Sequence, residues 1–324
     1  MVHGSESMAT LVQVAQLYYI ENKSQQEIAD QLGVSRSLIA LYLKRAREHN
    51  IVRIEIVDPQ DQREDLALSL MEKTGIKSVH IVPSAINQDL TRRSLGGVVA
   101  RYLESLLQDG HQIGFGWGRT IMEIANLLAP STPRRIEVVP MLGESSYTGS
   151  YTQMNQIVLQ IAKSFNGLPH FLLVPLVVGT EELRDALLAD EVAREVAERW
   201  DRLDVACVGI GALPPASGQV LYLGEENVHY YQEDGAVGDI CARYFDLQGE
   251  TVANPLNRRL IGISFEQLRR VPRVIAVAGG VEKTKALVGA VRSSLLTDLF
   301  IDEELGRSIL EELGTLEVQN GAKG

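Results

Sequence analysis

Cysteine is nearly absent from this 324-residue chain, which carries only Cys207 and Cys241. They form no C-x-x-C pair and no repeated framework, which excludes a disulfide-stapled scaffold and a cysteine zinc site. The six histidines, His3, His49, His80, His111, His170 and His229, are scattered without metal-ligand spacing, so no metal or other cofactor is expected. Long apolar runs are missing too. The longest, Phe171–Val178, falls far short of the about 20 residues that a membrane-spanning helix needs. The N-terminus has no charged-then-apolar leader, so the chain is expected to be cytoplasmic, with no membrane partner. Positive charge is in deficit: 31 Lys and Arg stand against 42 Asp and Glu, a formal net charge of −11. Such a chain cannot coat nucleic acid over its whole surface, and any contact with a polyanion has to be local.

What the chain does have is enough apolar content, 45%, to bury a large core, and a length that suggests two domains. The stretch from Ser24 to Asn50 reads as two helices joined by a tight turn. Ser24 followed by Glu27 is a capping box, which starts the first helix at Gln25. Ala29 is small enough for a steep helix crossing, and Gly33 supplies the positive φ that turns the chain after Leu32. Ser35 caps the second helix. There Ile39, Tyr42, Leu43 and Ala46 form a buried stripe, leaving Ser37, Leu41, Lys44 and Arg45 facing outward. This is the layout of a helix-turn-helix. Between Ser35 and Arg53 there are five basic residues (Arg36, Lys44, Arg45, Arg47, Arg53) against one acid, Glu48. A cationic helix on an anionic protein points to phosphate, and so to double-stranded DNA; a solvated helical hairpin is the alternative. Residues 1–7 read as a polar tail. Met8 to Glu21 reads as a scaffold helix packed through Leu11, Val14, Ala15, Tyr18 and Tyr19, and Ile51–Val57 alternates like the strand of a wing. Asp58-Pro59 marks the hinge, giving domains 1–58 and 59–324. Leu66–Lys73 reads as a helix serving as connector or dimerisation arm.

Beyond Gly75 short apolar runs alternate with helical stretches. The runs are Val79–Val82, Gln112–Phe115, Ile136–Leu142, Phe171–Val174, Val205–Ile210, Val274–Ala278 and Thr297–Ile301. Buried strands alternating with helices imply an α/β fold with a mainly parallel sheet covered on both faces. Leu260–Leu268 and Ala242–Val252 read as a local antiparallel insertion. Several strands stop in glycine where a helix begins: Gly114-Phe115-Gly116-Trp117-Gly118-Arg119-Thr120, Gly209-Ile210-Gly211, and Ala278-Gly279-Gly280 with Lys283 just beyond. Such ends suit either a tight strand-to-helix turn or an anion held on free backbone N–H groups. Lys283, at a helix start where the macrodipole disfavours a cation, suggests a phosphate or carboxylate partner as against plain solvation. Asp239, read in the glycine-flanked loop Gly235-Ala236-Val237-Gly238-Asp239, suits sugar hydroxyls or a local cap. Neither the order of a P-loop nor the third glycine of a dinucleotide fingerprint is present, which argues against nucleotides.

Taken together, Gln26-Glu27-Ile28-Ala29 with Leu32-Gly33-Val34-Ser35-Arg36, Gly116-Trp117-Gly118-Arg119-Thr120, Val208-Gly209-Ile210-Gly211, Gly235–Ile240, and Ala278-Gly279-Gly280 with Lys283 and Ala286 resemble the SorC family of sugar-responsive transcriptional regulators, with its DeoR-like members. The resemblance spans about Leu11 to Leu313. It implies a winged helix-turn-helix followed by a Rossmann-like effector domain similar to glucosamine-6-phosphate deaminase and ribose-5-phosphate isomerase. The implied effector is a sugar or sugar phosphate and the implied assembly a homodimer or homotetramer, which would set paired recognition helices about 34–36 Å apart. Carried over residue by residue, Gly118, Arg119 and Thr120 would cradle the phosphate, with Gly116, Gly279 and Gly280 at the same rim. Lys283 would support the anion and Asp239 would hold hydroxyls, while Gly143, Asn155 and Gly211 would line the pocket. On the DNA side, Ser35, Arg36 and Ser37 would open the recognition helix, with Leu41 facing the groove and Lys44, Arg45 and Arg47 on the backbone. Leu38, Ala40 and Leu41 depart from the polar residues common there, which leaves contact to thymine methyls as one means of readout. The alternative function is a sugar-phosphate isomerase or deaminase using Asp239 with Lys283.

Overall fold

The computed structural model describes residues 7–54, 62–145, 153–213, 234–253 and 255–321. The chain divides into two compact units, Met1–Asp61 and Gln62–Gly324.

The smaller unit holds α1 (Met8–Tyr19), α2 (Gln25–Leu32) and α3 (Arg36–Glu48). Each begins at a serine whose side chain accepts from the first turn: Ser7 from Thr10, Ser24 from Glu27, Ser35 from Leu38. The capping box at Ser24 is closed from both sides, the Glu27 carboxylate taking the Ser24 N–H at 2.8 Å, and that bond holds the Glu27 pKa below the usual carboxylate value. Gly33 sits at φ +65° and ends α2 in the left-handed conformation, which costs an L side chain about 1–2 kcal/mol. The core is Leu11, Val14, Leu17, Ile28, Ala29, Ile39, Leu43 and Ala46, closed over by Tyr42. Leu17 belongs to it, whereas Tyr18 and Tyr19 are half-buried and meet edge to face at 4.9 Å. After α3 the N–H groups of Ile51 and Val52 both turn back onto the Ala46 carbonyl. Residues 51–54 therefore form a bend, not the start of a wing strand. The rest of the expected strand, the hinge at Asp58–Asp61 and the tail through residue 6 lie outside the described residues.

The larger unit runs α4 (Arg63–Thr74), β1 (Ser78–Val82), α5 (Gln88–Leu106), β2 (Gln112–Phe115), α6 (Arg119–Leu127), β3 (Glu137–Pro140), α7 (Met154–Phe165), β4 (Leu168–Pro169), α8 (Glu181–Ala189), α9 (Glu191–Arg199), β5 (Val205–Ala212), β6 (Gly238–Ile240), β7 (Arg243–Phe245), α10 (Pro255–Arg258), α11 (Phe265–Arg270), β8 (Arg273–Val277), α12 (Thr284–Arg292), β9 (Asp298–Asp302) and α13 (Glu303–Gly321). Seven strands lie in the order β1-β9-β8-β5-β2-β3-β4, every pair parallel. The hairpin β6–β7 pairs antiparallel with the end of β5. Strand β9 is buried at every position and β5 at nearly every one, as expected of strands covered on both faces.

One expected strand is displaced. The fourth run forms its strand at Leu168–Pro169, not Phe171–Val174. Residues 172–176 instead braid with two other segments: Glu144 N–H reaches Val174 O, Leu176 N–H reaches Glu144 O, and Ile261 N–H reaches Leu176 O. The 260–268 stretch pairs antiparallel as expected, through bridges of Leu260 with Val177 and of Gly262 with Leu142. It supplies that braid and then enters α11 through a second capping box, Ser264 with Gln267. Helix α4 buries Leu66 and Leu70 in the main core beside Gly306 of α13, so it is a core helix of the larger unit. Among the described residues no helix is long and apolar enough to cross a membrane.

At the amino end of the sheet the fully buried Asp298 carboxylate accepts from Tyr102 (2.7 Å), Arg273 (2.7 Å) and Thr297 (2.6 Å). Burial, then the hydrogen bond to Asp298 and its charge, push the Tyr102 phenol up to about 12, while burial lowers the pKa of His80, stacked 4.3 Å from Phe300. Removing the carboxylate leaves the Tyr102 hydroxyl without an acceptor and strips the buried end of Arg273 of its counter-charge, although Arg273 keeps the Tyr102 oxygen and Thr297 keeps Val274 O. Asp298→Ala is therefore expected to destabilise the larger unit by about 2–4 kcal/mol, the partly solvated Arg273 softening the loss. Urea unfolding followed by tryptophan fluorescence checks this, since Trp117 and Trp200 both lie in that unit.

Candidate functional site

Strand β2 continues through α6 to β3 on one side, whereas β5 continues by way of β6–β7 to β8 on the other. Adjacent parallel strands whose connections leave in opposite directions open a crevice at their carboxyl ends. The glycine-rich ends meet there. Gly116 N–H extends the ladder past β2 onto Cys207 O at 2.9 Å. Trp117 is buried. Gly118 follows at φ +128°, a region closed to most L residues, with open space where a Cβ would stand. It is the N-cap of α6, and no side chain caps that helix. The first N–H groups of α6 have no acceptor within the helix. Arg119 is exposed and the Thr120 side chain buried; neither has a hydrogen-bond or ion-pair partner among the described residues.

Across the seam Gly211 pairs with Asp239 in the β5–β6 ladder. Asp239 is on a strand, not in the loop expected, and is 4% exposed. Its Oδ2 accepts from Ala242 N at 3.0 Å, bracing a β6–β7 turn in which Cys241 and Ala242 both hold positive φ. Gly279 and Gly280 follow β8. The Gly280 N–H donates to Asp302 Oδ2 at 2.7 Å, and a single 3-10 turn, Val281–Lys283, leads into α12. Lys283 reaches back to β5, donating from Nζ to Ile210 O at 2.7 Å. Burial brings its pKa down to about 8; Glu282 and Asp239 oppose the fall, and Arg119 and Arg92 add to it. The structure thus gathers Gly116, Gly118, Arg119, Thr120, Gly211, Asp239, Gly279, Gly280 and Lys283 at the carboxyl ends of β2, β5 and β8.

Gly143 and Asn155 are committed elsewhere. A Cβ on Gly143 would stand 2.6 Å from Pro175 O, and its N–H donates to Ile261 O. The Asn155 amide is used at both ends by Leu172, donating to its carbonyl at 3.1 Å and accepting from its N–H at 3.0 Å. Both therefore serve the braid. Two carboxylates escaped the motif reading. Glu144 takes the N–H groups of Met154 and Asn155 and so occupies the start of α7. Asp302 takes Ser84, Gly280 and Leu305. Asp302 reads locally only as a cap for Leu305, three residues on, while its bonds to Ser84 and Gly280 and those of Glu144 join segments that no local pattern links. Among the described residues no group of His, Cys, Asp or Glu could hold a metal ion.

In the smaller unit Arg36, Ser37, Ala40, Leu41, Lys44 and Arg47 are exposed on α3, with Ser35 exposed at its cap. Lys44 pairs loosely with Glu48 at 3.6 Å. Arg47 donates to Tyr19 OH at 3.5 Å. Arg45 is half-buried and turned toward the start of α1, beside Ser7, Met8, Leu11 and His49, which leaves the outward face to Arg36, Ser37, Leu41 and Lys44.

Comparison with known proteins bears on both units. The sugar-binding domain family Sugar-bind matches residues 58–311, and the Sigma-70, region 4 family matches residues 16–49. The Deoxyribonucleoside regulator of Bacillus subtilis is 29% identical over 316 residues, 95% of this chain and 99% of that one. The transcriptional regulator YjhU of Escherichia coli is 32% identical over 302 residues, covering 91% and 92%. The crystal structure of the full-length Sorbitol Operon Regulator SorC from Klebsiella pneumoniae superposes with a TM-score of 0.78 at 28% identity, covering 95% of this chain and 100% of that one.

Lys283 gives the site a pH signature. Its proton is held to about 8 in the folded chain but to the ordinary 10.5 in the unfolded one. The unfolded state binds more protons between those values, so the charged lysine weakens the fold below pH 8 and the penalty fades as pH rises toward 10.5. Relative to Lys283→Met, the wild type is expected to gain about 2–3 kcal/mol between pH 7 and pH 10, measured by urea unfolding of both proteins without added anion.

Proposed function

Because the chain belongs to the SorC family of sugar-binding transcriptional regulators, we propose that it binds an operator of a carbohydrate-metabolism operon through residues 1–58 and is controlled by a sugar or sugar phosphate held by residues 59–324. The observation that carries the effector reading is the uncapped start of α6 at the β2–β5 seam, with Arg119, Thr120 and Lys283 around it. A dianionic phosphate on Gly118, Arg119 and Thr120 would meet free N–H groups and the positive end of the helix dipole. Lys283 supports that charge. Asp239 faces the hydroxyls, and Gly116, Gly211, Gly279 and Gly280 stand at the same rim, where a Cβ on Gly116 would meet Cys241, on Gly279 Leu95 and Thr91, and on Gly280 the Glu282 carboxylate. Gly143 and Asn155 act at a distance, by keeping the neighbouring braid in place.

The outward face of α3, Arg36, Ser37, Leu41 and Lys44 behind the Ser35 cap, enters the major groove, and Arg45 and Arg47 flank it toward phosphate. A homodimer or homotetramer in the cytoplasm suits this use. Two copies of α3 would then read two half-sites of a pseudo-palindromic operator. The effector acts by shifting the population between assemblies that grip the operator differently. A catalytic role for the crevice is not favoured. The Asp239 carboxylate that would shuttle the proton already accepts from Ala242 N, and Lys283 is tied to Ile210 O.

Fluorescence anisotropy on the promoter region of the chain's own operon, titrated with a panel of sugars and sugar phosphates, tests this. At least one sugar phosphate is expected to change operator affinity five- to hundred-fold, the usual scale of coupling between sites of about 1–3 kcal/mol. Arg36→Ala and Lys44→Ala are expected to weaken binding and each to reduce its salt dependence by about one ion. Operator affinity that no member of an ample panel alters would overturn the effector reading.

A further inference from the structure

Helices α5 and α6 both start at the carboxyl end of the sheet and lie against each other where Gly96 meets Glu123, a contact so close that a Cβ on Gly96 would stand 2.9 Å from the Glu123 Cβ. One turn toward the helix starts from that contact are Arg92 on α5 and Arg119 on α6. Both bear on the Lys283 ammonium. Arg92, Arg119 and Lys283 thus bring positive charge to the mouth of the crevice, where Glu282 and Asp239 supply part of the opposing negative charge.

The partners of Arg92 do not supply enough of it. Its side chain is only 15% exposed, yet its single ion pair is with Asp89, which is 88% exposed, and solvated pairs of this kind contribute little. Its other contact is Gln88 Oε1 at 3.4 Å. Most of its five N–H donors have no acceptor among the described residues. Gln88 is itself anchored to the β8–α12 connection, donating to Glu282 Oε1 at 2.7 Å. The first turn of α5 is therefore tied to the loop that carries Lys283, with the guanidinium stored at its edge.

We propose that Arg92 is a third cationic ligand for the anionic group of the effector, and that Asp89 holds it in reserve until that anion displaces the carboxylate. The inference rests on the effector site proposed above and deepens it. The ligand's anion would draw on α5, α6 and the α12 connection together, and the exchange favours a dianion such as a phosphate monoester over a monoanionic carboxylate. A planar guanidinium suits a phosphate bidentately in a way an ammonium does not. Asp89 is a competitor in this scheme, not a support.

The test is titration of the full chain with inorganic phosphate at constant ionic strength, chloride serving as the control, followed by calorimetry. Wild type is expected to bind. Thr120→Val, which touches only the underlying site, should weaken binding and so validates the site itself. Arg92→Gln should weaken phosphate about tenfold, Arg92→Lys should recover part of the loss, and Asp89→Asn should tighten binding several-fold. These opposite signs are what a merely structural ion pair would not produce. If Thr120→Val weakens binding while Arg92→Gln and Asp89→Asn leave it unchanged, or if Asp89→Asn weakens it as Arg92→Gln does, the Arg92 proposal is overturned and the effector site stands. If wild type takes up no phosphate, both fall.

Discussion

The parallel pairing of β2 with β5 is the constraint from which the larger unit takes its shape. Ile113, Gly114 and Phe115 stand opposite Val205, Ala206 and Cys207, and because the strand order sends the crossovers away from that seam in opposite directions, connections of one hand fall on opposite faces of the sheet. No helix can then cover the carboxyl end of the seam. The gap collects the loops after β2 and β5 and, from the neighbouring strand, the loop after β8. Each side chain assigned to the effector owes its position to this one pairing.

Charge is handled differently at the two ends of the sheet. At the amino end Asp298 is buried and saturated by Tyr102, Arg273 and Thr297. At the carboxyl end the acids are also satisfied, Asp302 and Glu144 by backbone N–H groups and Asp239 by the Ala242 N–H. Two of the cations there are less so: Arg119 has no hydrogen-bond or ion-pair partner among the described residues, and Arg92 has the solvated Asp89 and a long bond to Gln88. Open cations and helix N–H groups gathered at one place, beside carboxylates that the fold has satisfied, support the anionic effector proposed for this crevice. The smaller unit uses the same logic on its surface, where a basic helix on an acidic chain serves a polyanion.

The helix-turn-helix was legible because its determinants are local. Ser24, Glu27, Gly33 and Ser35 act on backbone within a few residues, and their geometry follows from their chemistry wherever the segment is placed. The strand-helix alternation likewise announced a parallel sheet. Boundaries between distant partners were not legible. Phe171–Val174 is as apolar as any strand in the chain, yet it joins a braid with 144 and 261, while the edge strand forms from Leu168 and Pro169. Gly143 and Asn155 look like pocket residues by position, but their polar groups are taken by Ile261 and Leu172. Arg92 carries no motif at all, and its charge bears on Lys283 in a fold where Gly96 lets α5 close onto α6.

The amino-acid order alone therefore determined the elements, the caps, the basic recognition helix and the glycine ends of the strands, since each depends on forces acting over one or two helical turns. The folded structure decided which of those ends share a crevice, which polar groups are used up by the scaffold and which cations stay open. Those outcomes depend on strand order and helix approach, which bring together atoms separated by tens to hundreds of residues, and no short-range preference encodes them.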